Sequence, residues 1–244
     1  MAGSAARAQT ASGNAEGAGH VVVLETWSYD PLCADGWSVD EMFDDTEVVG
    51  ATGEKIGDVE NLMSADDGTI LAVVAQVGGF WDIGDAHVSI PWSEVTLSAD
   101  GETLMIPVTE ETIEDYAGFD GMNVFNRDDE KLFAVSEADA TQVVSDDLEA
   151  GPMVFKATDL MNDLTCLNDD VRYGYVSDIL VSGEAISAIL VDAAGYGTPG
   201  DFAYPHYGYR GYSPYGTRYD LPCGSEQINM IERFGYDRFR ESSE

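Results

Sequence analysis

The sequence predicts a mainly β fold: two tandem small β-barrels with short flanking helices. Three observations carry this prediction. β-branched runs are punctuated by Gly, Pro and Asp-Gly turns, the pattern of short strands. A run such as Ile70 to Val77 is almost wholly apolar, which suits a strand buried inside a closed β structure. Most telling is an internal repeat. Ile56-Gly57-Asp58-Val59-Glu60-Asn61-Leu62 aligns with Tyr173-Gly174-Tyr175-Val176-Ser177-Asp178-Ile179. Ile70 to Phe80 aligns with Ile186 to Tyr196, Ile90-Pro91 with Tyr204-Pro205, and Ile106-Pro107 with Leu221-Pro222. Glu111 and Ile113 then meet Glu226 and Ile228. The landmarks keep their order at an offset of about 115 residues, which chance does not readily give.

Each copy reads in the same order. A helical lead comes first, Ser38 to Phe43 in copy one and Thr158 to Met161 in copy two. Ser38 with Glu41 has the spacing of a capping box. An extended segment and a Gly follow. Two β-rich runs are then joined by a tight turn, Ala65-Asp66-Asp67-Gly68 in one copy and Ser182-Gly183-Glu184 in the other; Asp-Gly between such runs is a hairpin signal. Pro-marked short strands come next, with a further Asp100-Gly101 turn. A closing helix is expected from Thr109 through Ile113, with acidic residues in its first turn where the helix dipole favours them. Ser225 to Ile228 closes copy two. The expected domains are an N-terminal extension (1–36), a first barrel (37–119), an acidic linker with one helix from Glu137 to Val144 (120–153), and a second barrel (154–240).

Composition narrows the function classes. The chain has 244 residues, with 46 Asp and Glu against 11 Lys and Arg, a formal net charge of −35. Such a chain repels phosphate backbones and anionic lipid, which argues against nucleic-acid partners. No run approaches the roughly 18 apolar residues of a membrane span, so membrane insertion is not expected. The N-terminal stretch to His20 lacks an apolar core, but Ala6-Arg7-Ala8 has the small-x-small form of a cleavage site. That points to a trimmed export signal and a periplasmic or secreted protein, the alternative being cytoplasmic. Of the three cysteines, Cys166 and Cys223 could pair within the second half in an oxidising compartment; free thiols are the alternative. No Cys-x-x-Cys pattern points to zinc.

The pattern Val48-Val49-Gly50 through Gly53-Glu54-Lys55-Ile56-Gly57-Asp58-Val59, with Ile90-Pro91-Trp92 and Val108-Thr109-Glu110-Glu111, resembles the PRC-barrel family. The resemblance covers Trp37 to Phe119. Through the repeat it extends to Phe155 to Phe234, where Lys-Ile-Gly becomes Arg172-Tyr173-Gly174 and Pro-Trp becomes Pro205-His206. It implies a compact β-barrel acting as an assembly or adaptor module, with no catalytic motif to carry over. The family includes a membrane-anchored reaction-centre subunit and a ribosome-maturation factor. The missing apolar span argues against the first and the charge against the second, leaving a tandem, acidic, bacterial form.

No phosphate loop, His-Glu-x-x-His or Gly-x-Ser-x-Gly occurs, and His20, His87 and His206 are scattered, so the chain is not expected to be an enzyme. Tyr204, Tyr207, Tyr209, Tyr212, Tyr215 and Tyr219 cluster with Gly and Pro. Tyrosine presents apolar area with a polar tip, which suits a contact surface, and these six are the expected partner-binding residues. Acidic turns recur, Asp66-Asp67 among them; carboxylates in turns are the raw material of a calcium-type site, although none fits an EF-hand loop. The leading expectation is therefore a non-catalytic scaffold or adaptor for an unidentified protein partner. It would be a monomer or homodimer without a resident cofactor. The alternative is an acidic protein that binds a divalent cation or is adapted to salt in the cell envelope.

Overall fold

The computed structural model describes residues 24–78, 86–98, 101–109, 112, 117–118, 154–168, 170–208 and 218–241. The expected helix from Glu137 to Val144, and most of the one from Thr109 to Ile113, lie outside them. The chain is mainly β, in two sheets that follow the two sequence copies. The strands are β1 (Gly36–Ser38), β2 (Glu47–Val49), β3 (Lys55–Ala65), β4 (Ile70–Val77), β5 (Ala86–Pro91), β6 (Thr96–Leu97), β7 (Thr103–Met105) and β8 (Ala117–Gly118). They continue with β9 (Val154–Lys156), β10 (Leu164–Cys166), β11 (Arg172–Ser182), β12 (Ala185–Asp192), β13 (Asp201–Pro205) and β14 (Arg218–Asp220). Short helices flank them: α1 (Leu32–Asp35), α2 (Val39–Asp45), α3 (Ala157–Leu160), α4 (Ser225–Ile228) and α5 (Tyr236–Glu241).

The first sheet runs β6-β7-β2-β3-β4-β5-β8 and the second β13-β12-β11-β10-β14. Neither closes on itself among the described residues, so the expected pair of closed barrels is seen as two open sheets. Five strands nevertheless share one order, β7-β2-β3-β4-β5 in the first sheet and β14-β10-β11-β12-β13 in the second, and the first sheet adds β6 and β8. β2 runs parallel to β7 and β10 to β14, pairing Val48 with Leu104 and Thr165 with Tyr219. The long hairpins β3–β4 and β11–β12 carry bulges at the same places, between Val59 and Asn61 and between Val176 and Asp178. Bulges raise local twist and let a long strand bend around a core.

The glycines that align the copies have a steric cause. A Cβ on Gly57 would lie 1.9 Å from the Gln76 carbonyl oxygen, and one on Gly174 would lie 2.4 Å from that of Asp192. Only a residue without a side chain lets the first strand of each hairpin cross the second so closely.

The sequence boundary between the copies is not a boundary in space. β1 leads the first copy yet pairs with the second, Trp37 opposite Val181. β9 leads the second copy yet pairs with the first, Phe155 opposite Ser64. These are the same places in the repeat, so each copy lends its leading strand to the other. The two hairpin turns also meet. The Ile70 N–H donates to the Glu184 carbonyl and the Ile186 N–H to the Gly68 carbonyl, each at 2.8 Å. One continuous core then runs through both halves, including Val59, Leu62, Val73 and Ile90 of the first with Val176, Ile179, Ile189 and Tyr204 of the second. Fully burying an aliphatic side chain of this kind contributes about 1.5–3 kcal/mol.

The N-terminal segment is not an independent extension either. Leu24 joins the main core, and Tyr29 and Leu32 pack on the outer face of the second sheet with Leu180, Leu190, Ala203 and Phe234. The Trp27 indole donates to the Ala203 carbonyl at 2.9 Å and the Tyr29 hydroxyl to the Arg233 carbonyl at 3.0 Å.

Candidate functional site

The seam between the halves holds the most unusual polar groups. Ser38 ends β1 and caps α2, its hydroxyl accepting from the Glu41 N–H at 3.1 Å. The same hydroxyl donates to Asp178 at 2.6 Å. Asp178 sits at the bulge of β11 with no exposed surface. Its other oxygen accepts from the N–H groups of Asp40 (3.0 Å) and Ile179 (2.7 Å), and the Tyr236 hydroxyl completes the set at 3.0 Å. One side chain thus ties together the N-terminal lead, the second sheet and the C-terminal helix. Burial pushes its carboxyl up to about 6, against the pull of its four donors.

The first half has an amide at the same place. Asn61 Oδ1 accepts from the Thr158 and Leu62 N–H groups, and its Nδ2 donates to the Thr158 hydroxyl at 2.7 Å. Asp178 and Asn61 therefore do the same job from opposite sides: each holds the helix that follows the other half's lent strand.

His206 is the second seam residue. It follows β13 and lies against the first half's turn, where a Cβ on Gly68 would come within 2.5 Å of its Nδ1. Its ring bonds to the Asp67 backbone and stacks on Tyr219 with centroids 6.4 Å apart. Its Nε2 is sealed from solvent without a partner. Burial lowers its pKa to about 4, with Asp67 pulling the other way. The neutral ring is thus the form the fold favours, and the stability it contributes is present above the ordinary value near 6.5 and lost as pH falls toward 4. Replacing His206 with Phe is expected to spare the protein about 2 kcal/mol of this acid loss. Urea unfolding of both proteins at pH 7 and pH 4.5 checks this; parallel pH dependence would refute it.

The tyrosines expected to bind a partner divide. Tyr204 and Tyr219 are fully buried. The Tyr204 hydroxyl pairs with that of Tyr173 at 2.7 Å, and the Tyr219 hydroxyl accepts from the Tyr207 N–H at 3.0 Å. These two serve the core, and the docking expectation does not hold for them. Tyr207 is half-buried, with its phenol pushed up to about 12 by burial. Tyr209, Tyr212 and Tyr215 lie outside the described residues. The aligned interior of the first half is apolar, with Ile56, Ile90, Leu104 and Val108 where the second has Tyr173, Tyr204, Tyr219 and Cys223.

Cys33, Cys166 and Cys223 are free thiols. Cys166 and Cys223 sit on adjoining segments, since the Leu221 N–H donates to the Cys166 carbonyl at 2.8 Å. Burial raises both thiols, Cys223 to about 11. Asp66 and Asp67 occupy the hairpin turn as expected, but an Asp67 carboxylate oxygen accepts from the Thr69 N–H at 3.0 Å. Among the described residues no three His, Cys, Asp or Glu side chains converge as metal ligands would. No helix among them is long and apolar enough to cross a membrane.

What this geometry defines is two β sheets of similar strand order in one chain, each taking a short strand from the other's part of the sequence. Residues 43–113 match the family model of the PRC-barrel domain, so the first half carries a PRC-barrel domain, from the end of α2 past β7. No curated protein matches the chain.

Proposed function

We propose that the chain is a non-catalytic scaffold: two PRC-barrel-like units in tandem that present their outer surfaces to a protein partner. The observation that carries this reading is the seam. Asp178 and Asn61, both buried there, each hold the opposite half's lead by hydrogen bonds. A domain of the PRC-barrel kind, often a site of interaction, is supported for the first half, and fold alone assigns no chemistry. The test is crosslinking of the full chain in its native cells followed by mass spectrometry. A small set of proteins captured reproducibly, and retained at high salt, is expected. Capture of nothing beyond basic proteins that wash off with salt would overturn the scaffold reading.

A salt-adapted envelope protein is the second reading. It is favoured by the charge of −35 and by exposed carboxylates such as Glu47, Asp58, Asp170 and Asp220 on strands and turns. Stabilisation by calcium well beyond that by sodium chloride of matched ionic strength would instead indicate a specific cation site.

A further inference from the structure

The two copies diverge tellingly on one outer face. In the first half Glu47, Lys55 and Asp58 form a solvated ion triad, with the Lys55 ammonium 3.2 Å from Glu47 and 3.0 Å from Asp58. The same three places in the second half hold Leu164, Arg172 and Tyr175. The register is the same, Leu164 opposite Tyr175 as Glu47 is opposite Asp58. Tyr196 adds a second ring with its centroid 6.3 Å from that of Tyr175, and Val171 adjoins Arg172. Val171, Tyr175 and Tyr196 are 45%, 49% and 39% exposed, three of the five exposed large hydrophobic side chains among the described residues. Arg172 has lost both carboxylates of its sister lysine and makes no ion pair among the described residues. Among the described residues, Asp192, opposite Tyr175, caps the Ala194 N–H, and Asp170 and Asp220 pair with Arg218.

Folding does not require this exchange, because half-exposed rings bury little, and the sister site shows that an ion triad serves the same backbone. Exposed apolar area gathered on an otherwise acidic surface marks a contact site. We propose that Leu164, Val171, Arg172, Tyr175 and Tyr196 dock a short segment of a net-basic protein partner, which lays an aromatic side chain on the tyrosine pair and gives one carboxylate to Arg172. The proposal rests on the scaffold reading. Charge decides the partner's class: the chain's −35 attracts a basic protein over distance, while the lone guanidinium selects a carboxylate on contact. A second copy fits poorly. Five side chains fall well short of the roughly 800 Å² per partner of a stable dimer, and two such acidic chains repel.

The test is titration of the isotopically labelled full chain, followed by NMR, with two synthetic peptides. One has a Trp-Pro-Glu core flanked by lysines; the control has Ala in place of Trp and Glu. Tighter binding of the first by on the order of tenfold is expected, with shifts confined to residues 164, 171–175 and 194–197. The double variant L164E/Y175D recreates the sister triad, so its fold is safeguarded, and it should bind both peptides alike. Equal binding of both peptides by the unaltered chain, or shifts spread over the whole acidic surface, would overturn the proposal. So would a salt-induced dimer abolished by L164E/Y175D, which would make a second copy the occupant. A crosslinked partner that binds L164E/Y175D undiminished would remove this surface while leaving the scaffold reading intact; absence of any partner would remove the scaffold reading itself.

Discussion

Asp178→Ala is expected to cost about 3–5 kcal/mol of stability, the loss typical of removing one side of a buried charged hydrogen-bond set. Two backbone N–H groups and two hydroxyls would lose their acceptor at once. Asp178→Asn should cost far less. Asn61 shows that an amide oxygen satisfies the two N–H groups, and the Ser38 and Tyr236 hydroxyls can turn to accept from the new amide. The amide also removes a pH term. With the carboxyl raised from 3.8 to about 6, the fold favours the neutral acid. Its contribution is therefore full below 3.8 and is lost as pH rises through 6. Between pH 4 and pH 7 the native protein should lose about 2–3 kcal/mol relative to Asp178→Asn. Chemical unfolding of the three proteins across this range decides the matter: equal costs for Ala and Asn would show that the carboxylate does not bridge the seam.

The second large effect concerns the connection between the halves. A protease site inserted between residues 130 and 140 and then cut should leave one particle. The exchanged strands, the paired hairpin turns and the common core all cross the seam. The cut protein should elute as a 1:1 pair and unfold in a single transition. Separation into two folded pieces on a sizing column would mean that each half is an independent domain. His206 and Asp178 act on the same seam with opposite pH signs, so the native stability curve should be flatter than that of either single variant.

Much of this was legible in the residues. Gly57 and Gly174 align because the hairpin crossing admits no side chain, a constraint so local that it survives divergence around it. The turns at Asp67-Gly68 and Gly183-Glu184 were equally plain, since turn chemistry is set by a few backbone angles. The exchange of leading strands was not legible. Three residues such as Gly36-Trp37-Ser38 carry no period, and their partners lie more than a hundred residues away. Asn61 and Asp178 stood opposite each other in the repeat, yet their shared task is invisible until the helices they hold are seen to belong to the other half. The tyrosines misled for a physical reason. Their composition resembles a contact loop, but Tyr204 and Tyr219 fall on inward positions of β13 and β14, where a hydroxyl partner for the one and a backbone N–H for the other let phenols enter a core. The docking face was missed because Leu164, Val171, Arg172, Tyr175 and Tyr196 are separate in sequence and ordinary one by one.

The lent strands also set the order of events during synthesis. When β3 has left the ribosome, its far end at Met63, Ser64 and Ala65 still waits for Val154, Phe155 and Lys156. About 90 further residues must be made first, a delay of roughly 5–20 s at ordinary elongation rates. Throughout that interval the first half offers an open strand edge, the kind of surface on which nascent chains cluster. The stretch made during the wait includes Asp128-Asp129-Glu130 and Asp146-Asp147, so the growing chain gains negative charge before that edge is covered.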